Sequence, residues 1–392
     1  MTHARIRFVE TMLKKDLGFS PCVGLVGMRQ VGKSTLLHKF SKRYLSFDQE
    51  EITESIVRRG WDFLQHGDFP LAIDEIQKHP PAFDALKFAI DIRKIPGRYL
   101  ISGSVRFGSR KGIRESLTGR MTTIELHPLT LAECHSKPPS SFLPLVCTQK
   151  ANWLNQLAAK AWCSETALKQ MLVSGGLPGI CFRRDGDIKQ RLWEAHLDTL
   201  LTRDIQLIRQ VRVSPNKMLI ILKELARLQG LPCSTSHLAR LASLSVPGTK
   251  QILQAMEGLF LLRSYGETYF VEDIGLGHHL SPWHGTVSRQ DMLKLLYHEF
   301  RVLLRLHFGS GAEATWHATR GGLDIPFLIK FKTGSTIAIG VDDDEYPSEK
   351  VLKSLTWYKK RNPQTKALVL CRRADIITAS NDTLCLPWNW VF

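Results

Sequence analysis

Residues 27–34 match the phosphate-loop pattern G-x-x-x-x-G-K-[ST] without deviation. The apolar segment before the loop, residues 22–26, predicts a buried strand, and apolar residues at helical spacing follow the loop. In this context the backbone N–H groups of such a loop surround phosphates at a helix N-terminus. The residues predicted to bind the nucleotide are Gly27, Met28, Arg29, Gln30, Val31, Gly32, Lys33, Ser34 and Thr35.

Two side chains of the loop carry separate chemistry. Lys33 is expected to reach the β- and γ-phosphates and to act in catalysis, and the Ser34 hydroxyl is expected to ligate Mg²⁺. The sequence therefore predicts ATP and Mg²⁺ as ligands.

An acidic pair follows the next apolar segment at a distance typical of ATPases. Residues 69–73 predict a strand that ends in Asp74 and Glu75. Asp74 is expected to hold Mg²⁺ together with Ser34, and Glu75 is the predicted catalytic base that polarises the attacking water.

Two further positions have alternative interpretations. The strand over 98–104 ends in small polar residues, so Ser102 or Ser104 could contact the γ-phosphate, or could serve only as turn residues. Arg120 could be a catalytic arginine finger in its own or a neighbouring subunit, or a surface arginine without a catalytic role.

Strands and helices alternate through the first part of the chain. This order predicts an α/β fold with a parallel sheet, in which ligands bind at the carboxyl edge of the strands.

Four strings in one order resemble a large prokaryotic family of AAA+-type P-loop ATPases. They are residues 27–34, 74–77 (Asp-Glu-Ile-Gln), 101–104 and 117–120, and Met28 stands where the family usually has proline. The resemblance implies a C-terminal winged helix and a restriction-nuclease-like (PD-(D/E)xK-like) domain of unknown function. Residues 173–179 and 202–205 are similar to the family's spacer motifs, which implies that they pack against the ATPase core.

We expect four consecutive parts along the chain. They are an AAA+-like ATPase domain (1–135), a linker and helical spacer (136–215, with the linker over 135–150), a winged helix (216–280) and a nuclease-like α/β module (281–392). The winged helix is predicted from three helices followed by two strands joined through Gly266. Its third helix is expected to expose Thr249, Lys250, Gln251 and Gln254 to DNA, or to a protein partner.

The nuclease-like part departs from the pattern that cleavage requires. Glu299 on a helix and Asp324 before a strand are in place, as remnants of a site or as surface carboxylates. Gly340 and Asp342 stand where the pattern needs glutamate and lysine, so phosphodiester cleavage is not expected. The acidic residues 342–345 could bind a divalent ion or form a solvated turn.

Composition limits the class of protein. The chain has 392 residues, and its 53 Lys and Arg exceed its 37 Asp and Glu by 16, which favours an anionic partner such as DNA, or else a basic surface without a specific partner. No two of the eight cysteines have C-x-x-C spacing, so neither a zinc ribbon nor a thioredoxin-type site is indicated. We expect no membrane segment and no secretory signal, and hence a cytoplasmic protein.

Taken together, these patterns predict a Mg²⁺-dependent ATPase that couples hydrolysis to DNA binding or remodelling. A homo-oligomer is expected, with a hexameric ring as one arrangement. The alternative is a nucleotide-gated switch that engages a protein partner in signalling or defence.

Overall fold

The structure is a computed structural model. It describes residues 5–107, 117, 119–148, 152–208, 212–265, 268–282, 285–319, 322–373, 375–379 and 383–392. Thr118 and Gly266, which belong to patterns in the sequence, lie outside the described residues.

The strands and helices are given in chain order. The strands are β1 (Cys22–Val26), β2 (Arg43–Ser46), β3 (Leu71–Asp74), β4 (Tyr99–Gly103), β5 (Met121–Glu125), β6 (Leu262–Tyr265), β7 (Thr268–Val271), β8 (Ala312–Ala318), β9 (Asp324–Phe331), β10 (Thr336–Val341), β11 (Thr365–Cys371), β12 (Ile377–Ala379) and β13 (Thr383–Pro387). The helices are α1 (Val9–Leu17), α2 (Lys33–Phe40), α3 (Glu50–Arg59), α4 (Pro81–Ile92), α5 (Leu131–Cys134), α6 (Phe142–Thr148), α7 (Trp153–Lys160), α8 (Glu165–Ser174), α9 (Pro178–Cys181), α10 (Gly186–Asp198), α11 (Ile205–Ile208), α12 (Pro215–Arg227), α13 (Thr235–Leu241), α14 (Val246–Gly258), α15 (Ile274–Leu280), α16 (Arg289–Phe308) and α17 (Glu349–Arg361).

The chain forms two compact units, and neither is a continuous stretch. The first unit contains residues 1–129, 177–224 and 234–263, and the second contains residues 130–176, 225–233 and 264–392. The four consecutive parts predicted from the sequence differ from this division, since the predicted winged-helix region 216–280 contributes to both units.

A five-stranded sheet forms the centre of the first unit. Its strand order is β2-β3-β4-β1-β5, and all neighbouring strands are parallel. The strands β1, β3 and β4 are buried along their whole length, as expected for a parallel sheet covered on both faces. The predicted parallel α/β fold is confirmed, and the carboxyl ends of β1, β3 and β4 lie at one edge.

The second unit contains a mixed six-stranded sheet in the order β12-β13-β11-β10-β9-β8. The pairs β10–β11 and β11–β13 are parallel, and the other pairs are antiparallel. Residues of α16 pack in a large apolar core with alternate residues of the sheet, while residues of α17 pack in a smaller core with the others. The relation of this α/β unit to nucleases stays a prediction.

The predicted linker over residues 135–150 is partly wrong. Residues 142–148 form α6, and Phe142, Leu143 and Val146 are buried in the large core of the second unit. The proline-rich residues before α6 suggested a linker. The apolar side chains that follow them lower the free energy of the fold when they are removed from water, so this stretch packs into the core.

The elements predicted for the winged helix occur in the predicted order, α12, α13, α14, β6 and β7. The prediction was wrong for Thr249, which is buried and donates a hydrogen bond from Oγ1 to the Ser245 backbone oxygen at 3.0 Å. Lys250, Gln251 and Gln254 are exposed on α14. A DNA-binding role for this helix stays a prediction.

Among the helices that the structure describes, we find none with both the length and the apolar character needed to cross a membrane.

Candidate functional site

The phosphate loop leaves the sheet at the end of β1 and leads into α2. A Cβ atom at Gly27 would come within 2.3 Å of the Leu126 backbone oxygen, so a side chain is excluded there. Gly32, at the N-cap of α2, has a φ of 104°, which residues with a side chain rarely adopt. Both glycines of the pattern are therefore required by the path of the backbone.

Buried groups hold the loop in place while its polar residues face outward. Met28 and Val31 are buried, whereas Gln30, Ser34 and Thr35 are exposed. The guanidinium group of Arg7 donates to the backbone oxygens of Val31, at 2.9 Å, and of His127, at 2.5 Å. The loop is thereby fastened to the chain segment that follows β5.

Lys33 is the first residue of α2 and is only 4% exposed. Its Nζ donates to the backbone oxygens of Gly27 and Met28, each at 3.0 Å. Burial lowers the pKa of Lys33, and the negative charges of Glu75 and Asp74 act in the opposite direction. The fold thus brings the predicted lysine and the predicted acidic pair within electrostatic reach of one another.

Asp74 ends β3 and lies next to Ser102, near the end of β4. The Ser102 hydroxyl donates a hydrogen bond to Oδ1 of Asp74, and the Glu75 backbone N–H donates to the same oxygen at 3.1 Å. Ser102 therefore orients the predicted magnesium ligand. Its predicted contact with the nucleotide stays a prediction.

Glu75 lies at the sharp turn that follows β3, where its φ is 52°. The Ser104 hydroxyl donates to Oε2 of Glu75 at 3.0 Å, and Nε2 of Gln77 donates to the same oxygen. Both of these bonds go to Oε2, and no hydrogen bond from the residues that the structure describes reaches Oε1 of Glu75. A non-glycine residue in this strained conformation is typical of functional sites.

Tyr44 on β2 is a site residue that the sequence patterns did not indicate. Its hydroxyl donates to Oδ2 of Asp74 at 2.6 Å, so both carboxylate oxygens of Asp74 have donors. Burial and the bond to Asp74 raise the pKa of Tyr44, while the hydroxyls of Ser46 and Ser34 lower it. The phenol thus lies between the two predicted magnesium ligands, Ser34 and Asp74. The available signal was its position on the strand beside β3.

Arg120 is engaged within its own chain. Its Nε and Nη2 donate to the two carboxylate oxygens of Asp91, in the last turn of α4, at 2.7 and 2.9 Å. The hydrogen bonds of this pair lower the pKa of Asp91 and raise that of Arg120. The role of Arg120 as a finger toward a neighbouring subunit stays a prediction.

A cavity of about 470 Å³ opens beside the loop in the first unit. Its lining includes Gly32 and Thr35 from the loop and α2, and Leu36, Leu129 and Pro178 on its apolar parts. Its volume is in the range of small-molecule sites. The cavity therefore combines backbone of the phosphate loop with apolar and charged side chains.

The second unit has a separate polar cleft at the position of the predicted nuclease site. Asp324 accepts from Nη2 of Arg289 at 2.7 Å and from Nε1 of Trp316 at 2.6 Å. Asp342, which is 4% exposed, accepts from the Ser348 backbone N–H at 2.8 Å. The guanidinium group of Arg289 therefore pairs with the charge of Asp324. The prediction of a solvated turn is wrong for Asp342, because this residue is buried.

Gly340 occupies a place that a glutamate could not enter without rearrangement. A Cβ atom at this position would lie 2.5 Å from Cγ1 of Val351 on α17. Glu299, by contrast, is 2% exposed, and its Oε1 accepts from the Leu131 backbone N–H at 2.7 Å. The interpretation of Glu299 as a surface carboxylate is wrong.

Comparisons with known proteins agree with the architecture of the phosphate site. A family model described as an AAA domain matches residues 20–135, and one described as a domain of unknown function (DUF8612) matches residues 165–269. Residues 20–135 therefore form a P-loop ATPase domain. The match covers β1, β3 and β4 together with the loop, Asp74 and Glu75.

The curated relatives of this chain carry no description of a function. The chain is 26% identical, over 71% of its length, to the uncharacterized proteins Rv2008c of Mycobacterium tuberculosis and Mb2031c of Mycobacterium bovis. The aligned part is 54% of each relative, so the chain spans about half the length of the curated relatives it matches.

Two solved structures are similar at low overall agreement. The Walker-type ATPase PABY2304 of Pyrococcus abyssi is 14% identical, with a TM-score of 0.42, over 69% of this chain and 93% of that chain. The signal transduction ATPase PH0952 of Pyrococcus horikoshii, which has a tetratricopeptide repeat sensor, is 14% identical, with a TM-score of 0.30, over 78% of this chain and 49% of that chain.

Proposed function

We propose that the protein hydrolyses ATP in a Mg²⁺-dependent reaction and couples hydrolysis to DNA binding or remodelling. The observation that carries the ATPase part is the joining of Lys33, Asp74 and Glu75 at the carboxyl edge of one parallel sheet. Lys33 is buried against the loop, Asp74 is held by two hydroxyl donors, and Glu75 keeps one oxygen for water.

The residues of the site fit a magnesium nucleotide. The hydroxyl of Ser34 and the carboxylate of Asp74 are hard oxygen ligands of the kind that Mg²⁺ prefers, and they would hold it. Bound Mg²⁺ would neutralise charge on the β- and γ-phosphates. Lys33 would bind the same phosphates, and Glu75 would orient the attacking water and accept its proton.

Two variants test the hydrolytic part. Glu75→Gln keeps an oxygen for Ser104 and Gln77 but loses the charge, so we expect ATP binding to persist while turnover falls about 10²–10⁴-fold. Lys33→Ala should abolish hydrolysis and weaken ATP binding, because the phosphate charge loses its partner. Phosphate release and binding of a fluorescent ATP analogue are measured for both.

The exposed residues Glu51 and Lys42 provide matched controls. Glu51→Gln and Lys42→Ala make the same chemical changes away from the site and should leave both measurements unchanged. A Glu75→Gln variant with the turnover of the wild type would remove Glu75 as the water-orienting base.

The DNA part is supported by the charge of +16 and by the exposed polar face of α14. DNA binding should weaken steeply with salt, because phosphate contacts release counterions. The ATPase rate is measured with single-stranded, duplex and four-way-junction DNA and without DNA. Unchanged rates together with no binding in a fluorescence anisotropy titration would refute the coupling to DNA.

Arg240 and Lys250 test the route of that binding. Both residues are exposed, on α13 and just inside α14. Replacing both with alanine should weaken DNA binding, whereas unchanged affinity would remove these helices from the DNA interface.

A specific observation favours the second candidate, a nucleotide-gated switch that engages a protein partner. The guanidinium group of Arg120 forms a bidentate pair with Asp91 of the same chain. A ring of identical subunits would need this group as the arginine finger of a neighbouring site. A switch can operate with slow hydrolysis and as a monomer. A monomer by light scattering with ATP, and a slow rate insensitive to DNA, would favour it.

We also propose that the second unit does not cleave nucleic acid. The ion pair of Asp324 with Arg289 and the steric limit at Gly340 support this. Incubation with Mg²⁺ or Mn²⁺ and DNA or RNA should leave the nucleic acid intact.

A further inference from the structure

A segment of the first unit, far from the loop in sequence, places a buried carboxylate beside it. Helix α10 begins after Asp185, whose side chain accepts from the Ile188 backbone N–H at 3.0 Å. The helix continues beyond Asp198 as a π-helical turn, Thr199–Asp204. Such turns are rare in proteins, and those that occur often lie at functional sites. Asp204 ends the turn, and its side chain is 1% exposed.

Two guanidinium groups share this carboxylate. Oδ2 of Asp204 lies 3.4 Å from Nη1 of Arg29, and Oδ1 accepts from Nε of Arg203 at 2.9 Å. Arg29 belongs to the phosphate loop, and its side chain is 28% exposed. Two positively charged groups share one carboxylate, so a net positive charge remains. This charge favours the binding of an anion at the loop. The spacer string 202–205 thus contacts the ATPase core, as the family resemblance implied.

A second buried polar group faces the same charges. His196 on α10 is 3% exposed, and among the described residues neither of its ring nitrogens has a hydrogen-bond partner. Burial lowers the pKa of His196 to about 4, and the positive charges of Arg29 and Lys33 contribute. The neutral imidazole is therefore within electrostatic reach of the loop. Buried polar groups without hydrogen-bond partners are rare.

We propose that Asp204 is a positioning residue of the nucleotide site, which holds Arg29 so that its guanidinium contacts the phosphates of ATP. The inference rests on the proposed ATP site and assigns Arg29 the recognition of the phosphate chain. An arginine side chain without a fixed position loses conformational entropy when it binds a ligand. A side chain that is already held in place loses less, so binding costs less free energy.

The test is a double-mutant cycle in the full chain with Arg29→Gln, Asp204→Asn and the double variant. Dissociation constants for ATP and AMP are measured by displacement of a fluorescent ATP analogue. Arg29→Gln should weaken ATP binding about tenfold or more, since bonds to charged groups are lost. Asp204→Asn should weaken it about threefold to tenfold, and AMP binding should change little in either variant.

The double variant should bind ATP no more weakly than Arg29→Gln, because Asp204 acts through Arg29. Asp198→Asn, on the exposed side of the same helix, is the matched control and should have no effect. Arg29→Lys keeps the charge but loses the planar fork, so the selective loss for ATP should appear even if Asp204→Asn does not fold.

Independent, additive losses in the cycle would overturn the inference, as would equal losses for ATP and AMP or unchanged ATP binding by Arg29→Lys. These results would leave the proposed function intact as long as the wild type binds ATP. Failure of the wild type to bind ATP would refute the proposed function and this inference together.

Discussion

Replacing Glu299 with glutamine should remove a large pH dependence from the stability of the second unit. Burial raises the pKa of Glu299 to about 8, with a smaller contribution of the same sign from Glu133, while the hydrogen bond from Leu131 acts in the opposite direction. The ordinary value is 4.5, so over the pH range between these values only the folded chain holds the proton. Stability is therefore present below the lower value and is lost as the pH rises toward the higher one.

The magnitude follows from this pH range. The free energy of unfolding should fall by about 1.4 kcal/mol for each pH unit, on the order of 5 kcal/mol in total, and should then level off. Glutamine keeps an oxygen for the Leu131 backbone N–H and has no proton to lose. The variant should match the wild type near pH 5 and exceed it above about pH 8.

Urea denaturation followed by tryptophan fluorescence is the assay, because most of the nine tryptophans lie in the second unit. Glu349→Gln makes the same change at an exposed residue of that unit and should leave the pH profile of the wild type in place. Parallel profiles for Glu299→Gln and the wild type would show that Glu299 is ionised in the fold and would refute the reasoning.

Other substitutions test the remaining features. Tyr44→Phe removes a hydrogen-bond donor from Asp74. The Mg²⁺ concentration needed for half-maximal ATPase activity should rise about 10–100-fold, as it does when residues that orient a metal ligand are changed. An unchanged Mg²⁺ requirement would show that Tyr44 does not support the metal site. Gly340→Ala should destabilise the second unit by about 1–3 kcal/mol in urea, because Cβ meets a packed methyl group. Gly186→Ala, which lies in the first unit and has open space around Cβ, should destabilise neither unit. If subunits share sites, Arg120→Ala should bind ATP but hydrolyse it slowly, and mixing it with Lys33→Ala should partly restore activity. No recovery on mixing would contradict a shared site.

The sequence predicted those parts of the site that depend on local spacing. The loop, the strand ending in Asp74 and Glu75, and the parallel order of the first sheet all follow from patterns within a few residues or from alternation of elements. Ser102 and Ser104 were placed at the correct strand end, but their partners are carboxylates 28 and 29 residues away. Spacing alone does not specify such pairs.

Burial and long-range pairing limited the rest. Tyr44 gains its role from Asp74, which lies 30 residues later. Thr249 was predicted to be exposed, and a surface position was one of two interpretations of Glu299, yet both are buried with a hydrogen-bond partner. The division into two units depends on contacts between distant segments, which hydrophobic periodicity does not encode.

The discontinuous first unit has a consequence for synthesis on the ribosome. Asp204 follows Arg29 by 175 residues, so at typical rates of about 5–20 residues per second it emerges roughly 10 to 35 seconds after the phosphate loop. The unit is completed only by residues 234–263, where the Gly258 backbone oxygen accepts from the Arg106 backbone N–H at 2.9 Å. A nascent chain therefore exposes all five strands of the parallel sheet well before it can form the Arg29–Asp204 pair, so the proposed nucleotide site can be completed only after translation has passed that point.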